Sequence, residues 1–266
     1  MSLTEAQVAD AAARLVEAEV STVQIGLLTL QYPGMDMDDA YAVQRAFVAL
    51  KSGRKGVGWK IGLTSKAMQS ALGIDIPDSG VLLDDMVFAS GAVVPAGRFI
   101  APRIEAEIAF VMRAPLAGAD VSRADVIAAT DYVTPSLEIL DTRIVRVDRA
   151  TGQGRSVIDT IADNAANAGI VLGAQRHRVD TFDLRWVGAI VRRNGGVEET
   201  GLGAGVLDDP VESVVWLARR MAQYGQVIES GDIILSGSFV RPVETMAGAL
   251  IEADFGRFGA VSCRFE

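Results

Sequence analysis

The segment Arg103-Ile104-Glu105-Ala106-Glu107-Ile108-Ala109-Phe110-Val111-Met112 carries two glutamates, one residue apart, in an otherwise apolar run. Successive side chains of a strand point to opposite faces. Glu105 and Glu107 therefore share one face, and Ile104, Ala106, Ile108 and Phe110 share the other. Two neighbouring carboxylates on a buried strand repel each other and lose hydration. A hard divalent cation relieves both costs, because Mg²⁺ and Mn²⁺ take oxygen ligands and keep positions open for water or substrate. The plainer alternative is a solvated edge strand with two surface glutamates, and Glu-x-Glu spacing alone serves either.

A third acid favours the cation. Asp131-Tyr132-Val133-Thr134-Pro135-Ser136-Leu137-Glu138-Ile139-Leu140-Asp141 also reads as an apolar strand, with Glu138 set between Leu137 and Ile139. An acid there needs a partner, either a metal ion or an arginine such as Arg143. Three carboxylates around one cation leave about three octahedral positions free.

Other segments offer the groups a reaction needs. Gly58-Trp59-Lys60-Ile61-Gly62 embeds a lysine in an apolar strand. Burial and a nearby cation both lower a lysine's pKa, which suits it to proton transfer. Otherwise its stem packs on Trp59 and its head reaches water. Asp78, in Pro77-Asp78-Ser79-Gly80, either joins the site or caps a turn. Asp159-Thr160-Ile161-Ala162-Asp163-Asn164-Ala165-Ala166-Asn167-Ala168-Gly169 is polar and small before Ile170-Val171-Leu172. Ser236-Gly237-Ser238 follows Ile233-Ile234-Leu235, and small residues there let backbone N–H groups approach an anion.

The elements that must hold these groups are mostly strands. Thr4-Glu5-Ala6-Gln7 fits a capping box opening an alanine-rich helix through Ala18. Gln31-Tyr32-Pro33-Gly34 is a break, and Asp38-Asp39 opens a second helix to about Lys51. Glycine-punctuated β segments follow at 57–62, 80–88, 103–113, 131–141, 168–173, 184–193, 232–240, 249–254 and 259–265. One amphipathic helix spans 211–222. Strands and helices do not alternate, so the pattern predicts a mixed, mostly antiparallel body and not a doubly wound sheet. Gly201-Leu202-Gly203-Ala204-Gly205 lacks the third glycine of a dinucleotide fingerprint, since position 206 is valine.

Composition narrows the function further. The chain has 266 residues, half of them hydrophobic, and a net charge of -9. That charge argues against nucleic acid, whose phosphates require a basic surface. No apolar stretch is long enough to span a bilayer, and the N-terminus lacks the regions of a signal peptide, so a cytoplasmic protein is expected. The single cysteine, Cys263, excludes an intramolecular disulfide framework, fits a reducing compartment and reads as a core residue of the last strand. The single histidine, His177, lies between two arginines and predicts an exposed loop. Chemistry must therefore rest on carboxylates, lysines, hydroxyls and backbone. The helix starting at Thr4 carries Val8, Ala11, Ala12, Ala13, Leu15, Val16, Ala18 and Val20 around much of its circumference, which predicts burial on more than one side and a homo-oligomer.

In order and spacing these segments resemble the hydratase/decarboxylase branch of the fumarylacetoacetate hydrolase superfamily, over essentially the whole chain. The telling pieces are Lys60-Ile61-Gly62-Leu63-Thr64-Ser65-Lys66, Pro102-Arg103-Ile104-Glu105-Ala106-Glu107, Glu138, the 159–169 stretch and Ser262-Cys263-Arg264-Phe265. The resemblance implies an α+β protein: a β-rich mixed roll (56–266) with a helical N-terminal region (1–55). It implies Mg²⁺ or Mn²⁺ on Glu105, Glu107 and Glu138. It implies Lys60 as proton shuttle with Asp78 as its partner, and substrate contacts from Ser236, Gly237, Ser238, Asp159 and Asn164. The superfamily's hydrolase branch has an active-site histidine with no counterpart here. The implied reaction adds water to a small 2-oxo acid, a 2-oxo-4-enoate of aromatic catabolism. The expected case is 2-oxohept-4-ene-1,7-dioate giving 4-hydroxy-2-oxoheptanedioate. Rivals are a 4-oxalocrotonate-type decarboxylation and hydration of 2-oxopent-4-enoate. A remoter rival is a noncatalytic, metal-stabilised binding protein. Multi-subunit assembly is implied as well.

Overall fold

The computed structural model describes residues 3–72 and 74–266. Helix α1 (Glu5–Ser21) opens on the expected capping box, in which the Gln7 amide donates to the Thr4 hydroxyl and the Thr4 amide donates to the Gln7 side chain. It buries one stripe, Ala11, Ala12, Leu15 and Ala18, while Ala13 and Val20 stay exposed. The expected all-round burial is thus not met within one chain. Many of the apolar positions are alanines, which add little area to a second face. After α2 (Leu28–Gln31) comes α3 (Met37–Leu50), capped by Asp36 with Asp39 reaching back. The acids read as its start occupy its first turn.

The β-rich part begins with β1 (Gly56–Gly62), α4 (Lys66–Leu72) and β2 (Asp78–Leu83). Next come β3 (Val87–Ala89), β4 (Ala92–Val94), β5 (Arg103–Met112), α5 (Arg123–Ala129) and β6 (Thr130–Leu140). Then follow α6 (Val157–Ala162), β7 (Asn167–Leu172), β8 (Gly188–Arg193), β9 (Gly196–Leu202) and α7 (Pro210–Ala222). The chain closes with β10 (Ile233–Ser238), β11 (Val243–Glu244), β12 (Leu250–Asp254) and β13 (Ala260–Phe265). One sheet runs β2-β1-β10-β5-β6-β7-β3 with β11 on β5, and the second runs β4-β13-β12-β8-β9. Pairing is antiparallel except β1 with β10, β13 with β4 and β3 with β7.

The main core includes the apolar faces of both sheets and α7. It contains Ile104, Ile108, Phe110, Leu137, Val191 and Leu217. A second apolar cluster joins α1, α2 and α3 to Ile144, Ile161 and Ala162, so the N-terminal helices pack onto α6. Cys263 is buried in β13, as read from the sequence. His177 differs from expectation. It is half-buried, bridges Val133 through the backbone, and sets its ring between Phe182 and Phe258 with Nε2 2.9 Å from the Phe258 carbonyl. Its aromatic neighbours give the ring an apolar seat that the flanking arginines concealed.

Candidate active site

Strands β5 and β6 pair with Glu105 opposite Glu138 and Glu107 opposite Ser136. Residues directly opposite in an antiparallel pair share a face, so the three carboxylates converge on one side of the sheet. Ligand oxygens of Glu105, Glu107 and Glu138 all lie within 4.8 Å of one another. The arrangement is fixed from behind: Ile104, Ala106, Ile108, Leu137 and Ile139 are fully buried in the main core on the opposite face. A one-residue slip would exchange the two sets, so burial of the apolar face locks the register of the acids.

Glu107 and Glu138 are buried and Glu105 is half-buried. The Gly237 amide donates to Glu107 Oε2 at 2.7 Å. Gly237 sits where the β10–β5 register shifts, at φ +115, and a Cβ there would stand 2.4 Å from Thr64 Oγ1. Only glycine brings its amide to Glu107 in that conformation. Glu107 Oε1 and both Glu138 carboxylate oxygens are buried with no hydrogen-bond partner among the described residues. Lys60 Nζ lies 3.6 Å from Glu138 Oε1. Buried carboxylate oxygens left unpaired are costly, and an oxygen-rich, anionic donor set of this kind fits a hard divalent cation.

The charges act strongly on one another. Burial, reinforced by Glu138, pushes Glu105 up to about 8. Burial, with Glu138 and Glu105 alongside, holds Glu107 well above the ordinary carboxylate range. Glu138 is also raised by burial, against the pull of Lys60. Lys60 behaves opposite to expectation. Burial disfavours its charge, but Glu138, Asp78, Glu105 and Glu107 together outweigh that and hold the ammonium more firmly than usual. The expectation assumed a cation beside the lysine, whereas the acids alone act in the other direction.

Lys60 and Asp78 meet through the β1–β2 ladder, where Lys60 pairs with Gly80 and Gly62 with Asp78. A Cβ on Gly62 would lie 2.2 Å from Asp78 Oδ1 and 2.9 Å from Lys60 Nζ, so glycine makes the space both side chains occupy. Burial raises the Asp78 pKa, opposed by the charges of Lys60 and Arg155. Lys60, Asp78 and Glu105 line a cavity of about 580 Å³, with Ser238, Arg155 and Arg241 elsewhere on its wall.

Not every sequence-derived residue reaches that cavity. Ser238 lines it, with its hydroxyl donating to the Val240 carbonyl. Ser236 has a buried hydroxyl without a partner and is not part of the wall. Asp159 accepts from Ser156 and from both the amide and hydroxyl of Thr29, so its carboxylate joins the start of α6 to α2. Asn164 exchanges two hydrogen bonds with the Val81 backbone. Both side chains are therefore committed to the scaffold. The segment reaches the cavity instead through Thr160, Ala165 and Ala166. With Asn164 the last two form a tight left-handed turn at φ 51, 52 and 59. Arg143 pairs with Asp163 and Glu19, not with Glu138.

Sequence reasoning gave no role to Arg103, Arg155, Glu199 or Arg241, which all line the cavity. Arg103 stands two residues before Glu105 on the same face, so strand alternation could have found it. The other three come from segments whose placement depends on the tertiary fold.

No family model matches the chain. It is 51% identical over 256 residues to 2-oxo-hept-4-ene-1,7-dioate hydratase of Escherichia coli, covering 96% of each protein. The structure of 4-oxalocrotonate decarboxylase from Pseudomonas putida G7, complexed with magnesium and adipate, superposes with a TM-score of 0.93 at 37% identity, covering 100% of this chain and 99% of that one. The fold extends to fumarylpyruvate hydrolase from Pseudomonas aeruginosa, with a TM-score of 0.57 at 14% identity over 80% and 88% of the two chains. The chain belongs to the hydratase/decarboxylase branch of the fumarylacetoacetate hydrolase superfamily.

Proposed function

We propose that this protein is a divalent-metal-dependent hydro-lyase of aromatic catabolism. It converts 2-oxohept-4-ene-1,7-dioate, or its 2-hydroxy-2,4-dienoate tautomer, to 4-hydroxy-2-oxoheptanedioate. One observation carries the reading: three carboxylates converge beside a buried lysine, two of them with buried oxygens that have no hydrogen-bond partner among the described residues, and Glu105 and Lys60 open onto the cavity. The likeness to the E. coli hydratase selects the reaction.

Glu105, Glu107 and Glu138 hold the ion, Mg²⁺ or Mn²⁺. When bound, the ion supplies Lewis acidity to a 2-oxo acid whose carboxylate and 2-oxo oxygens sit side by side. Lys60 carries the proton that leaves C3 and returns at C5, bringing the double bond into conjugation with the ketone. Water then adds with its hydroxyl at C4 and its proton at C3. Asp78 holds and orients the Lys60 ammonium between transfers. Ser238 contributes to the cavity wall, and the Gly237 amide holds Glu107.

The test is incubation of the metal-loaded protein with 2-oxohept-4-ene-1,7-dioate in ¹⁸O-labelled water. Label at C4 of 4-hydroxy-2-oxoheptanedioate is expected. A second reading, decarboxylation, is favoured by the close superposition on the P. putida decarboxylase. Release of CO₂ from 2-oxohex-3-enedioate, with the heptenedioate untouched, replaces hydration by that reading.

The same reading places the enzyme in the cytoplasm as a homo-oligomer. Val20, Val23, Trp186, Val197 and Leu202 are exposed apolar side chains that a second copy can cover. Light scattering should then report a mass several times 28.1 kDa, and an active monomer rules assembly out.

A further inference from the structure

The cavity wall carries three arginines, Arg103, Arg155 and Arg241. Two already face an acid. Arg241 Nη2 lies 2.7 Å from Glu199, and its side chain is largely exposed. Arg103 Nη2 lies 3.6 Å from Glu244, and its Nε is buried without a partner. Among the described residues, Arg155 is the cavity arginine that no carboxylate approaches at salt-bridge distance. Its Nη1 is buried and has no hydrogen-bond partner among those residues. A guanidinium presents planar, paired donors suited to a carboxylate, and a buried donor without an acceptor is costly.

Arg155 is also held in place. Its backbone amide donates to the Arg146 carbonyl at 2.7 Å. The next residue, Ser156, caps α6 by accepting from the Asp159 amide, and the Asp159 carboxylate accepts from Ser156 and from Thr29. The backbone that carries Arg155 is therefore fixed, and Arg155 shares the cavity wall with Lys60 and Asp78. Arg155 comes from the loop before α6, whereas Glu105, Glu107 and Glu138 come from β5 and β6.

We propose that Arg155 is a specificity-determining residue that binds a second carboxylate at the far end of the substrate, so that the cavity selects 2-oxo diacids over 2-oxo monoacids. This inference deepens the hydratase reading and rests on it for the placement of the 2-oxo end at the acid cluster. Arg155 makes its contact with the distal carboxylate in the bound complex, where a charge-assisted hydrogen bond replaces an orphaned donor. Arg103 and Arg241 are already neutralised by their acids.

The experiment measures binding, which keeps its failure distinct from failure of the hydration reading. Calorimetry compares 2-oxoheptanedioate with 2-oxoheptanoate on the Mg²⁺-saturated protein; both ligands lack the alkene and cannot turn over. The wild type should prefer the diacid by about 10–100-fold, the range of a charge-assisted hydrogen bond. Arg155→Met should bring the ratio close to one. Arg155→Lys should restore part of it, since the charge is kept and the paired geometry is lost. Thermal unfolding of each variant checks that the fold persists. No diacid preference in the wild type overturns the proposal. So does an Arg155→Met variant that weakens both ligands equally. Loss of the preference in Arg103→Met or Arg241→Met, with Arg155→Met retaining it, overturns it as well.

Discussion

Glu138 stands directly opposite Glu105 in the antiparallel pairing of β5 and β6, on the face turned away from the main core. Like charges directly opposite each other destabilise a sheet. Here both Glu138 oxygens are also buried and, among the described residues, have no hydrogen-bond partner, with Lys60 Nζ 3.6 Å from one of them. The pair is intelligible as half of a cation site and costly as anything else.

The first prediction follows from that pair. Glu138→Gln or Glu105→Gln should weaken Mg²⁺ or Mn²⁺ binding by more than the about 10–100-fold typical of outer-shell partners. The metal-free fold should survive, because removing a buried charge can even favour folding. Calorimetric titration with metal, alongside thermal melts, checks both halves. Chelation should abolish turnover and added metal should restore it. Unimpaired turnover in exhaustively chelated protein would sink the metal site.

pH gives a second, independent check. Glu105, Glu107 and Glu138 have folded-state pKa values raised by burial and by one another. In the metal-free protein the folded state therefore holds protons that the unfolded state releases. Stability is fully present below the ordinary glutamate range and is lost as pH rises through the raised values, to about 8 for Glu105. One pKa unit is about 1.4 kcal/mol, and about 1 kcal/mol moves the melting temperature of a domain this large by about 2–4 °C. A fall of at least that order between about pH 5 and 8 is expected in chelator. Saturating Mg²⁺ should reduce it, because the ion binds the ionised carboxylates. A flat melting profile in chelator contradicts the charge arrangement.

Lys60 supports the third prediction. It is buried, reaches Glu138, and lines the cavity with Asp78. Lys60→Ala should lower kcat by about 10²–10⁴-fold, the usual contribution of a general acid–base group. Metal affinity, measured separately, should change far less. Near-normal turnover assigns Lys60 to structure and the proton to another group.

Much of this site was legible in the chain because strand alternation is a local rule. Period-two spacing puts Glu105 and Glu107 on one face without any tertiary knowledge, and the apolar neighbours of Glu138 mark it as buried. The opposition of Glu105 and Glu138 was not legible, since register depends on how two distant strands bury their other faces. Asp159 and Asn164 show the converse limit. Their polarity suggested ligand contact, yet it serves a helix cap and a Val81 backbone clamp. Small polar side chains satisfy buried backbone and ligands with the same atoms, so sequence cannot separate the two uses. β4 and β11 escaped because strands of two or three residues carry little hydrophobic period, and the longer β9 escaped because it is mostly exposed. Arg155 escaped because it stands alone in a polar loop whose position is set by Arg146 and α6.

The last prediction concerns Gly62, which sets the space that Lys60 and Asp78 occupy. It pairs with Asp78 across the β1–β2 ladder, and a Cβ would come within 2.2 Å of Asp78 Oδ1. Real side chains do not tolerate that approach, so Gly62→Ala must move the Asp78 carboxylate or the strand. The Lys60 ammonium lies 2.9 Å from the same point, so both members of the proposed proton-transfer pair are disturbed together. Strand geometry itself accepts alanine, and Gly62 is not among the positive-φ glycines. The variant should therefore fold, bind metal at Glu105, Glu107 and Glu138, and lose turnover by a factor approaching that of Lys60→Ala. A Gly62→Ala protein with unchanged kcat would mean that Asp78 can shift without consequence, and its partnership with Lys60 would have to be abandoned.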